Sequence, residues 1–283
     1  MELYVANAFT GERFGGNPAG VVPLGQAPFP PEADMQRIAA LIKHSETAFV
    51  RESGAGAFSL RYYSPCMEVD LCGHATIAAF RVLYAEKALP AGDYRIETRA
   101  GALGLRLEED AVWLDMAPGR IRHMLPSEEA LAVYASLGLS EADAPEGLPA
   151  CVVGTGLDDI MLPVKSLASL QAASLDREAL IKLSRRYGVA GAHLFCLDDP
   201  HCTAHCRNFA PLYDIDEECA TGTANGALTH YLHQQGVIPL GQEQRFLQGE
   251  AMGRPSVIRS RTDEQGHICI GGGAVIMIAG ELR

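Results

Sequence analysis

An internal repeat constrains this chain more than any other feature. Laying Cys72 on Cys219 aligns Cys72-Gly73-His74-Ala75-Thr76 with Cys219-Ala220-Thr221-Gly222-Thr223. The two segments share the cysteine, a threonine four residues on, and small residues at the next turn (Ala79 and Gly226). An acid-rich stretch precedes each, Glu68-Val69-Asp70 and Asp216-Glu217-Glu218, and a helical run follows each. The two cysteines stand 147 residues apart, close to half of the 283-residue chain. A period of that size points to duplicated supersecondary units. The expectation is an α+β fold of two pseudo-symmetric strand–helix lobes with a cleft between them. A length of this order suits two cores better than one.

Local patterning fills in the lobes. Leu3 to Phe9 reads as a strand, and Thr10 to Gly20 as a glycine-rich loop leading into Val21-Val22. Pro31-Glu32-Ala33-Asp34 opens a helix with proline and acids where the macrodipole favours them. Thr47 to Arg51 and Phe58 to Tyr63 read as strands. A helical run covers Ile77 to Ala85, and Leu103 to Met116 forms a hairpin turning at Glu108-Glu109-Asp110. Ala117-Pro118-Gly119 marks the boundary, giving lobes 1–117 and 118–283, with the final strand free to pack back on the first. In the second half, helices are expected at Ser127 to Leu137, from the Asp176 cap to Gly188, and at Ala224 to Gln234. Ala192 to Leu197 reads as a buried strand.

Composition narrows the partners. Net charge is −12 and no basic run exceeds Arg185-Arg186, which argues against nucleic acid. No stretch approaches the roughly 18–20 apolar residues of a membrane helix. The first residues lack the basic region of a signal peptide, so a cytoplasmic protein without a membrane partner is expected. Eight cysteines spread over such a chain read as reduced thiols.

The paired helix starts carry the chemistry. Unpaired N–H groups and partial positive charge at a helix start bind a carboxylate, and glycines such as Gly73 and Gly222 let it approach the backbone. A cysteine there has a lowered pKa. Glu46, at the edge of an apolar strand, is costly to bury unless paired or functional, and burial would raise its pKa toward the range useful for proton transfer. His201-Cys202-Thr203-Ala204-His205-Cys206 would suit zinc if helical, but it looks extended, which puts histidines and cysteines on opposite faces. No metal site is expected. No P-loop, dinucleotide fingerprint or nucleophile elbow occurs, so no cofactor is expected either.

These segments together resemble the PhzF-like family of phenazine-biosynthesis-type isomerases. The matching blocks run in order along nearly the whole chain: Phe14 to Val21, Ser45 to Phe49, Glu68 to Thr76, Arg207 to Pro211, Glu217 to Ala224, Gln248-Gly249 and Gly253 to Ser256. The resemblance implies a diaminopimelate-epimerase-like fold, each lobe a sheet wrapped around a central helix. It also implies catalysis without a cofactor and a homodimer. It makes Glu46 the proton shuttle, assisted by His74 and by Glu218, which stands where the family has Asp. It puts Cys219 in place of the usual Pro and Thr223 in place of Ser. In the related epimerases each lobe supplies one cysteine, and Cys72 and Cys219 are expected to match that pair.

Three functions follow as expectations. The first is a cofactor-independent isomerase that moves a proton on a small carboxylate substrate. Glu46 is its shuttle, and Asn17, Gly73, Thr76, Gly222 and Thr223 are its substrate contacts. The second is an amino-acid epimerase or racemase with Cys72 and Cys219 as opposed acid/bases. The third is a small-molecule binding protein without chemistry.

Overall fold

A computed structural model describes residues 1–283. The chain divides into two compact units, Met1–Asp115 with Gly271–Arg283, and Met116–Ile270.

In the first unit, strands β1 (Glu2–Ala8), β2 (Asn17–Gly25), β3 (Glu46–Gly54), β4 (Ala57–Tyr63), β6 (Gly92–Thr98), β7 (Gly101–Leu107) and β8 (Val112–Asp115) pair successively. The final strand β18 (Ala274–Glu281) adds antiparallel to β1, and the short β5 (Glu68–Val69) to β4. Two pairs are parallel, β2 with β3 and β4 with β6, and each needs a crossover. Helix α1 (Glu32–Ile42) makes the first crossover and α2 (Gly73–Lys87) the second. The two helices differ in what they bury. Only Met35 and Ala39 of α1 are fully covered, in a cluster with Val22, Phe49 and Tyr63. The first three turns of α2 are buried almost all round, His74 through Phe80 with Val82 and Leu83. A helix that is small and apolar on every side belongs inside, and α2 packs against β1, β2, β3, β8 and β18.

In the second unit, β9 (Arg120–Met124), β10 (Cys151–Gly154), β11 (Asp158–Pro163), β12 (Ala192–Cys196), β13 (Ala204–Ala210), β15 (Gln244–Gln248) and β16 (Ser256–Thr262) pair successively, and β14 (Ile215–Glu218) adds to β13. β17 (Ile268–Gly272) closes this part of the chain. The sequence of pairings from β10 onward repeats that from β1: antiparallel, parallel, antiparallel, then a parallel step across a buried helix. Here the outer crossover is α5 (Arg177–Tyr187), after α3 (Ser127–Ala135) and α4 (Leu167–Ala172), and the buried helix is α6 (Gly222–Gln234). α6 packs on β9, β10, β11 and β16. Leu137, Val152, Ile160, Leu162, Leu180, Leu194 and Phe209 form the core on the other face of these strands. The expected α+β fold, with each sheet wrapped around a central helix, is therefore what these residues build.

Some boundaries are sharper than the patterning gave. Asp176 caps α5 by accepting from the Ala179 amide at 3.0 Å, and Gly188 ends it at φ 62°. The glycine-rich loop is shorter than expected, because β2 already begins at Asn17. Pro18 is tolerated there because β3 joins only from Ala19 onward, so that side of the strand needs no donor from it.

Candidate active site

In the first unit the start of α2 lies beside the start of β3. Cys72 is the N-cap, with extended backbone (φ −140°, ψ 109°). Glu46 is the first residue of β3, and its side chain is 17% exposed. The Cys72 thiol lies 3.5 Å from Glu46 Oε2 and 3.3 Å from His74 Nδ1. His74 Nε2 lies 3.4 Å from Glu46 Oε2 and 3.2 Å from the Ser45 hydroxyl. Burial pulls the His74 pKa below the ordinary 6.5, against the opposing pull of Glu46, and His44 lowers it further. The ring is therefore neutral at neutral pH. Protonated on Nε2, it donates to Glu46, and the single Cys72 thiol proton serves either Glu46 Oε2 or Nδ1. A carboxylate held by a neutral imidazole and a thiol, and still reachable, is equipped to take and return a proton.

The start of α2 is fixed from below. Thr76 donates to the Cys72 carbonyl at 2.7 Å and pairs with the buried Tyr62 hydroxyl at 2.6 Å. Thr76 is fully buried, so its hydroxyl is committed to holding the loop rather than to a substrate. Asn17 is also buried, at the first position of β2. A Cβ on Gly73 would meet nothing nearer than Leu114 at 4.0 Å, so the space beside its Cα is open.

In the second unit the chain passes from β14 through Cys219-Ala220-Thr221 into α6. Gln248 is the hub. It donates to the Glu218 carbonyl at 2.7 Å and to the Thr221 hydroxyl at 3.0 Å. It accepts from the Thr221 amide and from Asn225. The Thr221 hydroxyl in turn donates to Glu218 Oε2 at 3.0 Å. The neighbouring acid, Glu217, is bound instead by both arms of Arg207 at 2.8 and 2.7 Å. Gly249 takes φ 82°, and a Cβ there would come within 2.6 Å of the Cys219 carbonyl and 2.4 Å of the Arg254 carbonyl. Gln248 and Gly249 therefore hold this loop. The sequence marked them as a matching block without a role, and only the long-range contact reveals one.

Comparing the two helix starts corrects the repeat. Cys72 is the N-cap of α2, but the N-cap of α6 is Thr221. The helices begin at Gly73 and Gly222, so the structural period is two residues longer than the cysteine spacing. Side chains confirm the register: Thr76 bonds the Cys72 carbonyl, and Asn225 bonds the Thr221 carbonyl at 2.9 Å, each four residues into its helix. Cys219 thus has no counterpart in Cys72. It lies two residues before its cap, 4% exposed, and burial pushes its thiol up to about 11, with Arg254 lowering and Glu218 raising it. The expected match of Cys219 to a second helix-start cysteine fails because residue identity aligned the two loops where helix geometry does not. Gly222 and Thr223 are the first two residues of α6, where first-turn amides are unpaired within the helix.

Two groups of side chains could hold a metal ion: Glu46, Cys72 and His74, and separately Asp199, Cys202 and His205.

The family described as phenazine biosynthesis-like protein (PhzC-PhzF) matches residues 6–280. The uncharacterized isomerase YddE of Escherichia coli K12 is 34% identical, across 99% of this chain and 97% of its own. An uncharacterized isomerase of Clostridium acetobutylicum is 33% identical over the same shares. The crystal structure of a PhzF-family phenazine biosynthesis protein from Bacillus anthracis superposes with a TM-score of 0.88 at 28% identity, covering 100% of this chain and 99% of that one.

Proposed function

The chain belongs to the phenazine biosynthesis-like (PhzC-PhzF) family of isomerase-type enzymes, and from that premise we propose that it moves a proton on a small carboxylate substrate with Glu46 as the shuttle. The observation that carries this reading is the Glu46–His74–Cys72 contact at the start of α2. Glu46 takes a proton from a carbon next to an unsaturated or carbonyl system and returns it elsewhere. His74 stays neutral, orients the carboxylate and donates to it. The first-turn amide of Gly73 holds the substrate carboxylate. Deprotonation and reprotonation of this kind need no cofactor. The homodimer implied by the family resemblance is part of the same proposal.

The epimerase reading loses its main support with the helix-start register, since Thr221, not Cys219, is the counterpart of Cys72. Membership in an isomerase family sets aside the binding protein without chemistry.

The test is a panel of D- and L-amino acids and cyclic carboxylates in D2O, read by proton NMR. The protein should wash deuterium into at least one compound, and Cys219→Ser should do so at the parental rate. A Cys219→Ser variant that loses exchange at the α-carbon of an amino acid would restore the two-cysteine epimerase.

A further inference from the structure

The turn between β12 and β13 carries a cluster that the proposed reaction does not use. Asp199, Cys202 and His205 each place one donor atom so that the three lie within 4.8 Å of one another. His205 is the second residue of β13 and its side chain is 5% exposed. Its Nε2 lies 3.1 Å from Asp199 Oδ2, and its Nδ1 lies 2.5 Å from Glu250 Oε2. The other Asp199 oxygen accepts from the His201 amide at 2.8 Å, which fixes the carboxylate.

We propose that Asp199, Cys202 and His205 bind a zinc ion, with Glu250 orienting the His205 ring. One nitrogen, one sulfur and one oxygen donor suit zinc, whereas magnesium and calcium prefer oxygen alone. Zinc bond lengths of about 2.0–2.3 Å require ligand atoms roughly 3.3–3.8 Å apart in a tetrahedron. Asp199 and His205 already stand at 3.1 Å, the three donor atoms lie within 4.8 Å, and any closure can fall on Cys202 in its bend. Metal-bound histidines characteristically give their other ring N–H to a carboxylate, and Glu250 is placed to receive it. Coordination releases the thiol proton and any proton on His205 Nε2 to solvent. Asp199, the Cys202 thiolate and Glu250 then bring three negative charges, which the ion and the nearby Arg245 balance. Asp199 and Cys202 are partly exposed, which leaves a path of entry and a fourth position for water.

The extended reading of residues 201–206 missed this grouping because strand alternation applies only from Ala204 onward. Residues 200–203 form a turn and bends, which brings Cys202 to the side of His205. His201 and Cys206 take no part. The ion ties this turn, through His205 and Glu250, to the short 3-10 turn Glu250–Met252, next to Gly249, which packs on Cys219.

The test uses the full chain, freed of metal by chelation, titrated with Co2+ and then Zn2+. One equivalent of cobalt should give a thiolate charge-transfer band and tetrahedral d–d bands that zinc abolishes. Cys202→Ser and His205→Asn should lose the thiolate band, Glu250→Gln should weaken zinc about 10–100-fold, and Cys72→Ser should leave the cobalt bands unchanged. Zinc should also raise the melting temperature of the parent and not of Asp199→Asn, a substitution at a partly exposed turn position. The proposal is overturned if no cobalt binds with thiolate ligation, which would leave His205 as an imidazolium between two carboxylates. It is equally overturned if the band survives Cys202→Ser and disappears with Cys72→Ser, which would put the ion on the Glu46 group.

Discussion

Glu46 and Cys219, the two candidate acid/bases, sit in different surroundings. Glu46 is mostly covered yet touches two polar partners, His74 and Cys72. Because burial lowers the His74 pKa, the ring stays neutral until the pH falls below its ordinary 6.5. The acid limb of kcat/KM assigned to His74 should therefore lie below that value, and His74→Gln should remove it while slowing turnover. An unchanged profile in His74→Gln would detach the histidine from the reaction. Thr76 tests the support beneath the pair. Thr76→Val removes a buried partner from Tyr62 and should cost about 1–3 kcal/mol in denaturant unfolding. A neutral result would mean the Tyr62 hydroxyl finds another partner.

The helix start is the element that organises each unit. α2 and α6 were visible in the sequence because small and apolar residues run without a polar face, and the duplication was visible because both runs follow acids and a cysteine. The cap was not visible. Identity favoured Cys72 on Cys219, while the register is set by Thr76 and Asn225 bonding the cap carbonyls, a contact no short motif encodes. Glu46, His74 and Cys72 were legible together for the opposite reason: two of them sit within one short block and all three near element starts. Gln248 was not, since its role depends on β15 lying beside β13 and α6. Gly249 gives this level its test. Gly249→Ala forces a side chain into φ 82° against two carbonyls and should cost about 1–3 kcal/mol. Crystallography of that variant should show the Cys219 loop displaced, and an unmoved loop would contradict the packing described for it.

At the scale of the whole molecule, one buried acid makes a distinct contribution to the response to pH. Asp159 is enclosed in β11, and burial raises its pKa from the ordinary 3.8 to about 7, with the Gly191 amide opposing and Asp158 adding to the rise. The folded chain thus holds a proton that the unfolded chain releases, so stability contributed by this group is complete below about pH 4 and falls as pH rises toward about 7. Asp159→Asn should flatten that slope in urea melts taken across the interval, and a slope unchanged by the substitution would assign it to other groups. No helix is long and apolar enough to cross a membrane. The proposed proton transfer rests on Glu46. The most direct measurement is the rate of solvent deuterium incorporation by Glu46→Gln beside the parent protein, on whichever carboxylate of the panel the parent exchanges. A fall of about 10²–10⁴-fold with the fold intact is expected for loss of a general acid/base. Exchange at the parental rate would show that another group carries the proton.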